Sequence, residues 1–560
     1  MMEITGIGIG QGVAIGAVVR MADRLPEPGD VPTSLDPERE SERATGALSA
    51  VAADLAHRGA AAGGAAKGVL EAQAMMAGDP SLGDLVAARL ATGATAERAV
   101  FEAFAAYRGL LAEMGGYIGE RAADLDDISQ RVIAELMQVP APGVPDPGHP
   151  FVLVAHDLAP ADTATLDLDR VLALVTVEGG PTSHTAILAR EKSLVAVVGA
   201  AEAAQLVDGD TVVVDAARGL VVASPTEEVL SAVHARIADR AARAAAPLAP
   251  GALADGTPVP LLANLGSVDG AADAVRLGAE GVGLFRTEFL FLDADTAPTV
   301  VHQQAEYTRL LEAFAGRKVV VRVLDAGADK PLAFVNDAPE SNPALGLRGI
   351  RALRRAEPVL RDQLTALAAA AATIDADLQV MAPMIATVEE TRYFTALAKE
   401  LGVAVAGVMV ETPSAALIAD RVLAVADFAS IGTNDLAQYT MAADRLLGTV
   451  ASLQDPWHPA VLRLIGEVGT AGAALGKPVG ICGEAAADPL LAVVLVGLGA
   501  TSLSMSPSAL ADVRASLSRY RLSDAQALAQ AALVADGALE ARTAAESAAA
   551  EIDSRGASGT

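Results

Sequence analysis

The chain has 560 residues, a net charge of −29 and a single cysteine. That length exceeds what one hydrophobic core serves, so two or more domains are expected. The negative charge repels nucleic acid and anionic membranes, and the lone Cys482 excludes an internal disulfide and any multi-cysteine metal site.

No segment reaches the ~18 uncharged apolar residues of a membrane span. The N-terminus has no basic region followed by an apolar core, so a cytoplasmic protein is expected. Residues 4–9 and 12–19 read as a glycine-punctuated strand pair, and a Pro-rich link follows at 25–32. From 35 to 138 charged and apolar residues recur at helical spacing, with breaks at Asp79-Pro80-Ser81 and at 92–95. A second Pro-rich link closes this block at 140–150. β patterns return at 151–155, 171–177, 195–198 and 211–214. The simplest architecture is an α/β domain, 1–34 plus 139–222, interrupted by a helical insertion, 35–138. Residues 223–249 read as a charged, Ala-rich connecting helix.

Between two of these β runs and the next helix start lies Gly179-Gly180-Pro181-Thr182-Ser183-His184-Thr185-Ala186-Ile187-Leu188-Ala189-Arg190. Glycines and proline make the turn. His184 then falls in the first helical turn, beside unpaired N–H groups and the positive end of the helix dipole, a place suited to phosphate. A neutral imidazole there is able to attack phosphorus and hold the phosphoryl group. A bare Ser-His pair reads first as a helix cap; the full string shifts the balance toward the nucleophile.

From 258 short β runs alternate with helical stretches: 259–265, 281–287, 318–325, 379–385, 404–411, 428–433, 478–482 and 502–506. Eight such units predict a (β/α)8 TIM barrel over 250–522. Polar groups close most of the runs: Asn264, Arg286 with Glu288, Arg322 with Asp325, Glu411, Asn434 with Asp435, and Cys482 with Glu484. Barrel active sites lie at that end of the strands. Arg286, Arg322, Arg348 and Arg445 offer guanidinium forks that match phosphate and carboxylate. Glu411 and Asp435 offer hard oxygens suited to Mg²⁺, and Asn434 a donor to phosphate. Cys482 reads either as a small buried apolar group or as a proton donor at carbon. Residues 523–560 form an Ala-rich tail, helical over 523–550 and disordered from 553.

The string around His184 resembles the phosphohistidine signature of the PEP-utilising enzymes. GLFRTEFL, NPALGLRGIR, MVETPSAAL, SIGTNDLAQYTMAADR and GICGE resemble, within that family, enzyme I of the bacterial sugar phosphotransferase system. The likeness runs over about residues 1–520 in the same order. It implies a swivelling phosphohistidine α/β domain with an inserted helical bundle, then a TIM barrel that binds phosphoenolpyruvate (PEP) and Mg²⁺ and forms a homodimer. It also implies that His184 Nε2 takes the phosphoryl group and Cys482 protonates the leaving enolpyruvate. Thr163 would hydrogen-bond the histidine, Lys330 would support the barrel site, and the phosphocarrier protein HPr would dock on the insertion near Glu71 and Arg121. Three departures stand out: Ala328 in Gly327-Ala328-Asp329-Lys330, the apolar Leu446-Leu447, and Gln73 where many members carry histidine.

Two other readings remain. A PEP synthase or pyruvate phosphate dikinase relative would need a nucleotide-binding domain, and no Gly-rich phosphate loop is evident. A regulatory phosphoprotein would be labelled at His184 and turn over poorly.

Overall fold

The computed structural model describes the chain except residues 1, 11, 23, 62–63, 115–121, 141–142, 146, 159–165, 167–169, 181–182, 184, 187–188, 190–193, 246–247, 292–295, 328–331, 333, 336–339, 446 and 559–560. It divides into two units, Met1–Ile237 and Ala238–Thr560, each taken by itself.

In the first unit, β1 (Met2–Thr5), β2 (Ile7–Ile9), β3 (Val13–Arg20), β4 (Phe151–Ala155), β5 (Val171–Thr176), β6 (Val195–Val198), β7 (Thr211–Asp215) and β8 (Leu220–Ala223) form one sheet. Its order is β1-β8-β7-β3-β4-β5-β6-β2. The single run expected over 4–9 is two strands, one at each sheet edge, joined at Gly6. A Cβ at Gly6 would lie 2.7 Å from Val197 Cγ1 and 2.8 Å from the Val198 carbonyl oxygen. A side chain there would block the curl that brings the edges together. Strand β8 was not foreseen.

Between the parallel neighbours β3 and β4 the chain builds five helices among the described residues: α1 (Pro37–Ala61), α2 (Gly64–Ala77), α3 (Pro80–Leu90), α4 (Ala96–Met114) and α5 (Ala122–Met137). Leu55, Leu82, Val100, Phe104, Leu125 and Ile128 fill their common core. The break foreseen at 79–81 is an N-cap: Asp79 accepts the Ser81 N–H at 2.7 Å and Pro80 opens the helix. The Pro-rich link is not a free hinge, because it is bound along the insertion. Leu25 exchanges two hydrogen bonds with the Gln130 side chain, at 2.6 and 3.3 Å. Arg98 grips Glu27 at 2.6 Å and the Pro28 carbonyl at 3.0 Å.

Helix α6 (Glu227–Ala245) crosses from one unit into the other. The second unit is a closed parallel barrel of β9 (Leu261–Leu265), β10 (Gly281–Arg286), β11 (Lys318–Arg322), β12 (Asp377–Ala382), β13 (Ala406–Val410), β14 (Ala429–Gly432), β15 (Val479–Cys482) and β16 (Ser502–Met505). All eight fall within the runs foreseen or within two residues of them. Leu284, Val320, Met381, Met409, Phe428 and Cys482 pack its interior. The tail is part of this unit. Helices α7 (Leu522–Leu533) and α8 (Ala538–Ser558) bury Leu528, Ala529, Ala541 and Ala545 against it. Helix continues to Ser558 where disorder was expected from 553. Alanine's helix propensity and an Arg519–Asp553 ion pair oppose fraying. Among the described residues no helix is long and apolar enough to cross a membrane.

Candidate active site

The barrel places its polar strand ends on one face, and there they interlock. After β10, Glu288 Oε1 accepts from Arg322 Nη2 at 2.9 Å and from the Asp325 N–H at 3.1 Å. Asp325 in turn meets Arg322 Nη1 at 3.1 Å and holds Arg348 through Nε and Nη2, at 3.3 and 3.1 Å. Arg348 reaches on to Asp435 Oδ1 at 2.7 Å and the Tyr439 hydroxyl at 3.1 Å. Arg445 faces the other Asp435 oxygen at 3.6 Å. Acid and base thus alternate from Glu288 to Arg445 across the barrel mouth.

Burial alone would weaken the charge on Arg322 and Arg348. The carboxylates around them win, and both guanidiniums are held more firmly protonated than free arginine. Asp435 is likewise buried, yet Arg348 and Arg445 hold its carboxyl below the usual range. Glu411 goes the other way. Burial first, then Asp435 and Asp325, push its carboxyl up to about 8. Its Oε1 accepts the Met384 N–H at 2.6 Å. Met384 adopts φ 57°, uncommon for a residue with a side chain, and such strain is kept where the surroundings dictate it. Neighbouring Gly349, at φ 58°, is required: a Cβ there would come within 2.9 Å of Met384 Cβ.

Arg286 ends β10 and is partly buried. Burial, then Arg322, lowers its affinity for a proton. Among the described residues it makes no hydrogen bond or ion pair, and Arg322 Nε, Glu288 Oε2 and Thr433 Oγ1 are buried without partners. Asn434 Oδ1 accepts the Glu484 N–H at 3.4 Å. Cys482 is 2% exposed and burial pushes its thiol up to about 11.

The barrel therefore gathers Arg286, Arg322, Arg348, Arg445, Glu411, Asp435, Asn434 and Cys482. His184, Thr163, Lys330 and Arg121 lie outside the described residues. What flanks His184 is described: Gly179 turns at φ 100°, and Ser183 Oγ accepts the Ala186 N–H at 3.2 Å, capping a helix start. Thr185 donates to Asp157 at 3.4 Å. In the insertion Gln73 is fully buried, its Nε2 donating to Asp124 at 3.3 Å, while Glu71 and Met75 are exposed. Glu288, Asp325, Met384 and Tyr439 are site residues that sequence reasoning noted at most as strand ends. Their signal was position after a strand; their partners lie up to 91 residues away.

Three family models match in succession: PEP-utilising enzyme, N-terminal, over 5–121; PEP-utilising enzyme, mobile domain, over 147–219; and PEP-utilising enzyme, PEP-binding domain, over 240–522. A phosphoenolpyruvate-protein phosphotransferase of Streptomyces coelicolor is 54% identical over 97% of this chain and 99% of its own. This chain belongs to the PEP-utilising enzyme family. Proteins of that name from Haloferax volcanii and Bacillus subtilis are 44% identical over 84% of both chains and 37% identical over 94% of this chain and 96% of that one. The name these relatives share supports PEP-dependent phosphotransfer, and the acid–base chain from Glu288 to Arg445 lies wholly within the segment matched by the PEP-binding domain model.

Proposed function

We propose that the chain takes a phosphoryl group from PEP onto His184 and passes it to a histidine of an HPr phosphocarrier. The observation that supports this most directly is basic hydrogen-bonding capacity left over at the barrel mouth: Arg322 Nε is buried unpaired, and Arg286 beside it feels Glu288 and Glu484 only at a distance, with no hydrogen bond among the described residues. An anion satisfies both.

Phosphoryl transfer needs positioning and charge neutralisation more than covalent help. Arg286, Arg322 and Arg348 bind the phosphate and carboxylate of PEP, Arg445 and Asn434 border it, and Lys330 supports the site. Arg348 and Arg322 are themselves braced by Asp325, which fixes their forks before substrate arrives. His184, which Thr163 would orient, attacks phosphorus through Nε2 as the bond to the enolpyruvate oxygen breaks. Cys482 then gives its proton to the methylene carbon, forming pyruvate. Its raised pKa keeps that proton in place at neutral pH.

A divalent cation fits here. Among the described residues no three acidic, His or Cys side chains group for a metal, so the set is two carboxylates plus substrate oxygens, as Mg²⁺ prefers. The repulsion that raises Glu411 is what a cation relieves. Glu411 and Asp435 would hold Mg²⁺, which when bound neutralises charge on the transferring group.

On this reading 1–34 with 139–222 carries the histidine, 35–138 docks HPr, 223–249 links, and 250–522 binds PEP and pairs two copies in the cytoplasm. The test is labelled PEP with Mg²⁺ and HPr. Catalytic label on HPr is expected from the native chain and none from His184→Ala. Label that stops on the chain would favour the regulatory phosphoprotein, and a need for ATP the dikinase.

A further inference from the structure

Three buried polar side chains outside the barrel strands form a single file. Leu324 follows β11, and its N–H donates to Gln363 Oε1 at 2.9 Å. Gln363 Nε2 donates to the Tyr307 hydroxyl at 3.0 Å. That hydroxyl donates to Gln303 Oε1 at 3.3 Å, and Gln303 Nε2 donates to the Pro298 carbonyl at 2.8 Å. Gln303 and Tyr307 stand on the helix Val300–Ala313, Gln363 on the helix Glu357–Ala371. None of Leu324, Gln363, Tyr307 and Gln303 is more than 1% exposed, so water offers no substitute partner. The two ends fix every orientation between them. An N–H only donates and a carbonyl only accepts, so each amide and the phenol has one way to point. Burial pushes the Tyr307 phenol up, which keeps the proton that the file needs.

What the file holds is the exit of β11. Three successive N–H groups leave the strand there toward three different supports: Val323 to the Met381 carbonyl at 3.0 Å, Leu324 to Gln363, and Asp325 to Glu288 Oε1 at 3.1 Å. The Asp325 carboxylate then braces Arg322 and Arg348, each at 3.1 Å. We infer that Gln363 is a positioning residue for PEP binding, acting through the Leu324–Asp325 backbone on the two guanidiniums that Asp325 braces. The inference rests on the reading of Arg322 and Arg348 as groups that bind PEP. Without the amide the Leu324 N–H is buried unpaired, and the backbone shifts to find another acceptor. Asp325 is the next residue, so its carboxylate moves with that shift and both forks lose their aim.

The experiment uses the full-length protein, below the melting transition of each variant. Gln363→Met keeps the length of the side chain and removes both of its hydrogen bonds. Its kcat/KM for PEP, from the rate at which PEP labels the chain, should fall about tenfold, the size of one lost charge-assisted hydrogen bond. Gln363→Glu, held protonated by burial at about pH 6, presents one acceptor and one donor as the amide does. It should restore the kcat/KM of the native chain at that pH. A merely structural role would lower the melting temperature of Gln363→Met and leave kcat/KM of the folded variant native. That outcome overturns the inference, and so does a Gln363→Glu variant no better than Gln363→Met. Should Gln363→Met not fold, Tyr307→Phe carries the test. It takes away the hydroxyl that orients the amide, and kcat/KM should fall about threefold; a native value overturns the inference. Native kcat/KM in Arg322→Gln would instead remove the guanidiniums from PEP binding, and the role of Gln363 with them.

Discussion

Arg348 shows what one side chain must do at the barrel mouth. Its planar fork reaches Asp325 with two nitrogens and Asp435 with a third, and it is 3% exposed. Lysine carries one point charge and cannot span both acids. Arg348→Lys should therefore leave a buried carboxylate under-compensated, lowering stability by about 3 kcal/mol and PEP turnover by about a hundredfold or more; native turnover would show the fork to be dispensable. Glu411 makes a pH-dependent case. Its carboxyl titrates higher in the fold than in the unfolded chain, so its contribution to stability is full below the ordinary value of 4.5 and is lost as pH rises through about 8. Without metal the barrel's melting temperature should fall across that window; saturating Mg²⁺ should flatten the fall, and Glu411→Gln should abolish it. A native-like slope in Glu411→Gln would assign the effect to another group. Arg286, Arg322, Glu411, Asp435 and Cys482 were legible because each follows an apolar run that ends a barrel strand. Their pairing was not. Arg348 and Asp435 are 87 residues apart, Cys482 and Ser430 are 52 apart, and only the closed register of parallel strands brings such groups together.

The barrel strands were legible as elements for a simple reason: a strand buried on both faces is a continuous apolar run, and eight of them recur with helical stretches between. Where the signal is compositional the helices over 523–550 were legible but their place in the fold was not. The tail beyond 522 reads as low-complexity alanine with scattered charge, yet α7 and α8 lay small side chains on the barrel's helical shell. Gly497 allows that approach, since a Cβ there would sit 2.1 Å from the Ala525 carbonyl oxygen. Close approach between small residues is a tertiary fact, invisible in a window of sequence. It makes the tail testable as a structural element. Ala545 is 0% exposed, so Ala545→Glu buries a charge with no place for it. The barrel unit should lose about 3 kcal/mol or more in denaturant unfolding. An unchanged midpoint would mean that α8 does not share the barrel's core.

At the scale of the whole molecule the hydrophobic cores respect the division of the chain. The clusters of the sheet and its helical insertion draw on residues 4–233, and those of the barrel on residues 253–552. Among the described residues no cluster of buried apolar side chains draws on both units, and cooperative unfolding follows shared burial. Helix α6 is held at its middle by Arg236 to Asp215 at 2.7 Å in the first unit, and toward its C-terminal end by Arg240 and Arg243 to Asp512 at 3.0 and 3.1 Å in the second. A fragment ending at residue 249 loses the Arg240 and Arg243 contacts to Asp512 and keeps every residue of the first unit's hydrophobic clusters. It should fold, melt in one transition, and take phosphoryl from phosphorylated HPr at His184. It should stay unlabelled by PEP at any concentration, because Arg286, Arg322, Arg348 and Glu411 are all absent from it. Labelling of that fragment by PEP would mean that the barrel is not where PEP is used. Failure to accept from phosphorylated HPr, with the fragment folded, would move carrier docking off the insertion.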